Sequence, residues 1–207
     1  SQACPWCPCL DRGEQASVST AEEIATLLDG ICFDSHWDAS VKAIVACKSN
    51  KKSKKPPRSG KMKGWGHLIE ICTDENSVMG TTAKEFNVSV VRITEKDGFH
   101  REETVRRIKN MIREKPGTSI HGSLPCTPWT SWQNINIAKN GPAYAKKLLE
   151  QRDFSLQLLH DFIEIADLAV SLGGEVSFEW PNNASAWINP GLVAFIHRHD
   201  LFTARVD

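Results

Sequence analysis

The chain is expected to fold as an open, mostly parallel α/β sheet with a small helical, Cys-rich region ahead of it. Three observations predict this. From about residue 66 onward, short apolar runs alternate with segments whose apolar residues recur at helical spacing. Gly and Pro fall at the joints between them. The 207 residues are 41% hydrophobic and 24% charged, the composition of a globular chain large enough to bury a core. Strands that alternate with helices favour parallel pairing, because each parallel neighbour is reached through a crossover.

The first element expected is a helix after Ser19-Thr20-Ala21-Glu22-Glu23, a capping box followed by Ile24, Leu27 and Leu28 on one face. A second helix is expected from about Asp38, with Val41, Ile44 and Val45 apolar. Residues 48–63, KSNKKSKKPPRSGKMK, then hold eight of the 25 basic residues and no acid. The remaining 17 basic residues face 25 acidic ones. This stretch divides the chain into a Cys-rich helical region (1–47), a basic exposed linker (48–65) and an α/β domain (66–207). It reads as a solvated loop, or more sharply as a phosphate-binding or nuclear-targeting segment.

In the α/β domain, strands are expected at 67–72, 88–94, 118–124, 175–180 and 201–206. Helices are expected at 80–86, at 102–114 (Val105, Ile108 and Ile112 on one face) and at 190–198. A long helix ahead of Gly173-Gly174 carries the stripe Leu149, Leu156, Leu159, Ile163, Ala166 and Val170. Ligands of such sheets bind beyond the carboxyl ends of the strands. That rule selects loops 73–80, 95–100, 125–134 and 180–187.

Composition narrows the function. Formal net charge is zero, which excludes a global field drawing the chain onto nucleic acid but leaves local patches open. No run approaches a membrane span, so no membrane partner is expected. The N-terminal SQACPWCPCL reads as neither a signal nor a transit peptide. Seven cysteines at uneven spacing then point to an intracellular, reducing compartment, nucleus or cytoplasm, with thiols free or metal-bound.

The selected loops carry the candidate chemistry. Thr73, Asp74, Asn76 and Gly80 lie in a polar loop after the first of these strands, where a cofactor would be held. Glu95 closes the next strand, and an acid there can accept both hydroxyls of a ribose. Cys126, between Pro125 and Pro128, is a candidate nucleophile exposed at a strand end. Glu179 follows an apolar strand beside a tryptophan, so it is expected to be desolvated and able to hold or pass a proton. Trp129 and Trp180 are expected to form aromatic walls, with Ser131 and Asn182 as neighbouring hydrogen-bonding groups for a substrate. A half-buried cysteine in a rigid loop and a structural carboxylate are the plainer readings of Cys126 and Glu179. A cysteine hydrolase pairing Cys126 with His121 is a weaker reading, since His121 lies five residues upstream on the same strand. At the N-terminus, Cys4 and Cys7 with Cys32 and His36 offer four thiolate and imidazole ligands for tetrahedral Zn²⁺. Cys9 or Cys47 could substitute for one of these, and a terminus with unpaired thiols is the alternative.

Leu124-Pro125-Cys126 and Phe178-Glu179-Trp180, in this order of strands and loops, resemble the core of S-adenosylmethionine-dependent methyltransferases, above all the cytosine-C5 DNA methyltransferases. The resemblance covers about residues 66–207. It implies a reduced Rossmann-like sheet, with Cys126 similar to the cysteine that attacks C6 of the base and Glu179 similar to the glutamate that holds N3. It further implies S-adenosylmethionine in the loop 73–80, Glu95 at its ribose, and DNA or RNA as partner. The block 124–134 with 173–181 is also similar to methyltransferase-like segments of retroelement-type polyproteins, which implies a place in a larger polyprotein. The sequence departs from the family at several points, among them no Gly-x-Gly in the cofactor loop, Thr127 after the cysteine, Ser123 where amino-methylating relatives carry Asx, and no room between Glu95 and the Pro-Cys loop for the usual extra strand. The alternative function is a catalytically inactive module binding nucleic acid or protein. If the N-terminal site holds zinc, the purified full chain contains about one equivalent of zinc by elemental analysis, and Cys7→Ser loses most of it.

Overall fold

The computed structural model describes residues 41–45 and 66–206. Six strands form one sheet: β1 (Val41–Val45), β2 (His67–Ile71), β3 (Ser89–Ile93), β4 (Ser119–Gly122), β5 (Val176–Pro181) and β6 (Phe202–Val206). Their order is β3-β2-β4-β5-β1-β6. The pairs β3–β2, β2–β4 and β4–β5 are parallel, and β1 lies antiparallel between β5 and β6. The expected open, mostly parallel α/β sheet is present.

The segment 41–45 corrects the sequence reading. It is not a helix but a strand, in register Val41↔Pro181 and Val41↔Val206 with its two neighbours. Five apolar-rich residues match either period, and a slot with unpaired backbone on both sides decides the matter. The sheet therefore takes strands from both sides of the basic stretch. The helix expected after Ser19 lies outside the described residues.

Among the described residues, four helices connect the strands: α1 (Val78–Thr82), α2 (Glu102–Glu114), α3 (Trp132–Ser171) and α4 (Pro190–Arg198). α1 starts two residues before the expected helix, capped by the Ser77 side chain, and runs into a 3₁₀ turn at Ala83–Phe86. α2 opens with Glu102 and Glu103, which suit the positive end of the helix, and buries Thr104, Val105, Ile108 and Ile112. α4 has Pro190 in its first turn and is capped by Asn189, whose side chain accepts from the backbone N–H of Gly191 and Leu192. α3 is kinked where Gly141 takes φ 71° and ψ −162° just ahead of Pro142.

The buried face of α3 is Leu148, Arg152, Ser155, Leu159, Phe162, Ala166 and Ala169, with Leu158, Ile165 and Val170 beside them. The expected stripe through Leu149, Leu156 and Ile163 follows the flank of this face. Two polar residues, Arg152 and Ser155, stand in its centre, and apolar periodicity cannot see them.

Right-handed crossovers put α2, α3 and α4 on one side of the sheet and α1 on the other. Two close contacts bear this out. Phe162 of α3 lies against Gly122 so closely that a Cβ there would come within 2.4 Å of the ring. A Cβ on Gly80 of α1 would meet Arg92 and Glu70, which sit on the opposite face. The core fills the first side: Ile69, Ile71, Ile93, Ile120 and Phe178 of the sheet against Ile108, Ile112, Phe162 and Ile165. Gly122→Ala is therefore expected to destabilise the fold by about 1–3 kcal/mol through overpacking. In urea unfolding, Phe162→Leu should cost less in the Gly122→Ala background than in the wild type, because the two changes share one contact.

Candidate functional site

The chain leaves β2 toward β3 on one side and returns to β4 on the other. The loops above β2 and β4 thus diverge, and such a switch point leaves a crevice at the carboxyl ends. A cleft of about 820 Å³ lies at this end of the sheet. Its polar part is Thr73, Asp74, Glu75 and Asn76 after β2, with Thr94, Glu95 and Lys96 after β3. Its aromatic and apolar part is Phe99 and His100, Pro125 after β4, and Phe154 and Leu158 of α3.

The loop after β2 is held from below. Glu70, buried in β2, accepts from Ser77 Oγ at 2.6 Å and faces Arg92 Nε of β3 at 3.3 Å. Arg92 also donates to the backbone oxygen of Ser77. Gly80 leaves the room this pair needs. The Asp74 carboxylate accepts from the N–H of Asn76 at 2.7 Å, closing the turn on itself. Cys72, where the strand ends, takes φ 59°, a left-handed conformation uncommon for a residue with a side chain. The loop after β3 is equally fixed. Asp97 Oδ2 accepts from Thr94 N and Oγ1 in a capping box, and Oδ1 accepts from Arg107 at 2.7 Å. The hydrogen bond from Arg107 holds the Asp97 carboxyl below its ordinary range, helped by the Thr94 N–H. Glu95 is exposed at the start of this pinned turn. Lys96 pairs with Glu75 across the mouth of the cleft.

After β4 the chain forms a 3₁₀ turn, Thr127–Trp129, with Cys126 at its start. α3 clamps this turn. Gln133 Nε2 donates to Thr127 O at 2.8 Å, and Arg152 Nε donates to Pro128 O at 3.0 Å. Trp129 Nε1 donates to Ser155 Oγ at 2.8 Å, and the Arg152 guanidinium stacks 5.3 Å from its ring centre. Burial depresses the Arg152 guanidinium and raises the Cys126 thiol. Cys126 is half-buried against the core, so in the free protein it is a thiol, not a thiolate.

Glu179 sits near the end of β5, on the face opposite Phe178 and Trp180. Its Oε1 accepts from Ser123 Oγ and lies 3.9 Å from His121 Nε2. His121 Nδ1 lies 2.8 Å from Ser177 Oγ. The expectation that Glu179 is desolvated is corrected: its side chain is 45% exposed, because strand alternation turns it away from the core.

The expected carboxyl-end residues do occupy neighbouring strand ends, in the order Glu95, Cys72, Cys126, Glu179. Thr73, Asp74, Asn76 and Glu95 line the cleft together. Gly80 does not; it backs onto Arg92 and Glu70. Trp180 is corrected as an aromatic wall: it is 2% exposed, donates to Leu124 O at 2.7 Å and packs edge-on against Phe178 and Trp187. Trp129 is half-buried and turned to α3, Ser131 is exposed at the start of α3, and Asn182 is half-buried after β5. Cys4, Cys7, Cys32 and His36 lie outside the described residues.

Sequence reasoning missed the aromatic end of the cleft and the row Arg92–Glu70–His121–Ser177, adjacent by register across β3, β2, β4 and β5. A signal existed: Glu70, Arg92 and His121 are each the penultimate residue of an otherwise apolar or small-residue strand end.

No family model, curated protein or solved structure matches the chain. Among the described residues, no helix is long and apolar enough to cross a membrane.

Burial makes the two described cysteines testable. Burial pushes the Cys72 thiol up to about 12 from an ordinary 9.0. The folded chain keeps a proton that the unfolded chain releases, so stability is full below pH 9 and falls as pH rises toward 12. Cys72→Ala should flatten that decline in unfolding measured against pH. At neutral pH, peptide mapping after iodoacetamide treatment should show both Cys72 and Cys126 alkylated about tenfold or more slowly than in denaturant.

Proposed function

We propose that the chain is an S-adenosylmethionine-dependent methyltransferase-like domain acting on a nucleobase in DNA or RNA, in a reducing compartment of the nucleus or cytoplasm. One observation supports the reading: the cleft at the switch point runs from an exposed carboxylate on a pinned turn, Glu95, to Pro125, the residue ahead of Cys126. The residues fit the cofactor. Glu95 can accept from the ribose hydroxyls, while Thr73, Asp74 and Asn76 offer hydrogen-bonding groups beside it. The flat ring has Phe99, His100 and Phe154 to lie against. When bound, the cofactor supplies the methyl group.

The chain's own residues would then act on the base. Cys126 Sγ would add across the ring double bond of the base, whose electron pair moves toward the ring nitrogen that Glu179 holds through a shared proton; loss of the proton from the methylated carbon would re-form the double bond and expel the cysteine. Because Cys126 is a thiol in the free protein, its proton must pass to solvent water as substrate binds. That same burial favours the second reading, a catalytically inactive module that uses the cleft for binding nucleic acid or protein.

Calorimetry should detect S-adenosylmethionine binding to the full chain, weakened about tenfold or more by Glu95→Ala, since a carboxylate with two hydroxyl partners is lost. Transfer of a labelled methyl group to DNA or RNA oligonucleotides, abolished by Cys126→Ser with binding intact, selects the enzyme. Binding without transfer selects the module. No binding by the wild type refutes both the cofactor and the enzyme.

A further inference from the structure

Glu179 rests on a support that neither a cofactor nor a nucleophile explains. Ser123, the residue after β4, donates its hydroxyl to Glu179 Oε1. His121, two residues earlier on the same face, brings Nε2 to 3.9 Å from that same oxygen. Its other ring nitrogen lies 2.8 Å from Ser177 Oγ, on the residue that β5 pairs with it in register. His121 is buried and Glu179 is not: their side chains are 11% and 45% exposed, with Ser123 and Ser177 half-buried between. Strand pairing fixes the members in place, and the Ser123 N–H is bonded to Ile71 O at 3.0 Å.

From this geometry we infer that Ser123, His121 and Ser177 are positioning residues for Glu179, holding Oε1 so that Oε2 is the acceptor offered to a ligand. Among the described residues, no donor is bonded to Oε2. The tautomer follows from the partners. A carboxylate beside Nε2 favours a proton there, which leaves Nδ1 as an acceptor for the Ser177 hydroxyl. Two carboxylates, Glu179 and then Glu70, pull His121 toward its charged form, but desolvation is the larger effect and holds it below its ordinary value. At neutral pH the ring is a dipole aimed at Glu179. It orients the carboxylate without pairing with it as an ion. A carboxylate so held accepts an N–H; that the N–H belongs to a nucleobase rests on the function proposed above.

Imidazole ¹⁵N NMR of the full chain at pH 7.5 tests the support directly. His121 should show the neutral form protonated at Nε2. Glu179→Gln should lower its titration midpoint further, and Ser177→Ala should shift the tautomer balance toward Nδ1. A wild-type ring protonated at Nδ1, or a midpoint that Glu179→Gln leaves in place, overturns the inference.

Binding of a cytosine-containing single-stranded DNA oligonucleotide gives the second readout. Ser123→Ala should weaken it about tenfold, as loss of a hydrogen bond to a charged group does, and Ser123→Thr should restore it. S-adenosylmethionine binding should be unchanged in both. Ser123→Ala with wild-type oligonucleotide affinity, where Glu179→Gln is impaired, also overturns the inference. If the wild type binds no oligonucleotide, the nucleobase reading fails and the NMR result decides the positioning role by itself.

Discussion

The chain's departure in opposite directions from two adjacent strands, β2 and β4, is the constraint on which the rest of this molecule depends. No other pair in the parallel part of the sheet has connections that diverge in this way. The opening it leaves is where the polar loops after β2 and β3 meet the turn after β4. That arrangement requires α3 to lie tight on β4, which is why Gly122 faces Phe162 with no space for a side chain between them. A sheet held this closely from one side gives the loops at its carboxyl end a rigid base, the condition for orienting a ligand.

The two faces of the sheet do different work. One is apolar and packs α2 and α3. The other carries Arg92, Glu70, His121 and Ser177 side by side. Burying charges is costly unless they are paired, and Glu70 meets that requirement with Arg92 and Ser77. The pairing has a structural use: Ser77 ends the loop that contains Thr73, Asp74 and Asn76, so the buried carboxylate ties the floor of the cleft to β2. Farther along the same row, His121 and Ser177 stand beneath Glu179.

The Pro125-Cys126 turn shows how polar groups can specify a loop. Gln133, Arg152 and Ser155 spend the buried face of α3 on the carbonyls and the indole of residues 125–129. An apolar α3 would bury more hydrocarbon there but would leave those carbonyls unsatisfied. The turn is thus rigid, and Cys126 is placed with it, half-buried and protonated.

Local chemistry was enough to find α2, α4 and the strands from β2 to β6 within a residue or two. Capping residues, helix-period stripes and Gly-Gly or Pro breaks act over a few residues and need no knowledge of partners. The same local signals placed Thr73, Asp74, Asn76, Glu95, Cys126 and Glu179 at strand ends. What they could not decide was anything set by a neighbour distant in sequence. Val41–Val45 became a strand because two strands more than 130 residues later left their backbone unpaired on either side of it. Trp180 went into the core and Glu179 out of it because α3 packs on the side of β5 that Phe178 and Trp180 share. From residue 66 onward the sequence by itself determined which segments are strands and helices and which polar residues stand at their ends. Tertiary structure alone decided which face each side chain meets, because that depends on the order of strands in the sheet, and strand order is fixed by contacts between residues far apart in the chain.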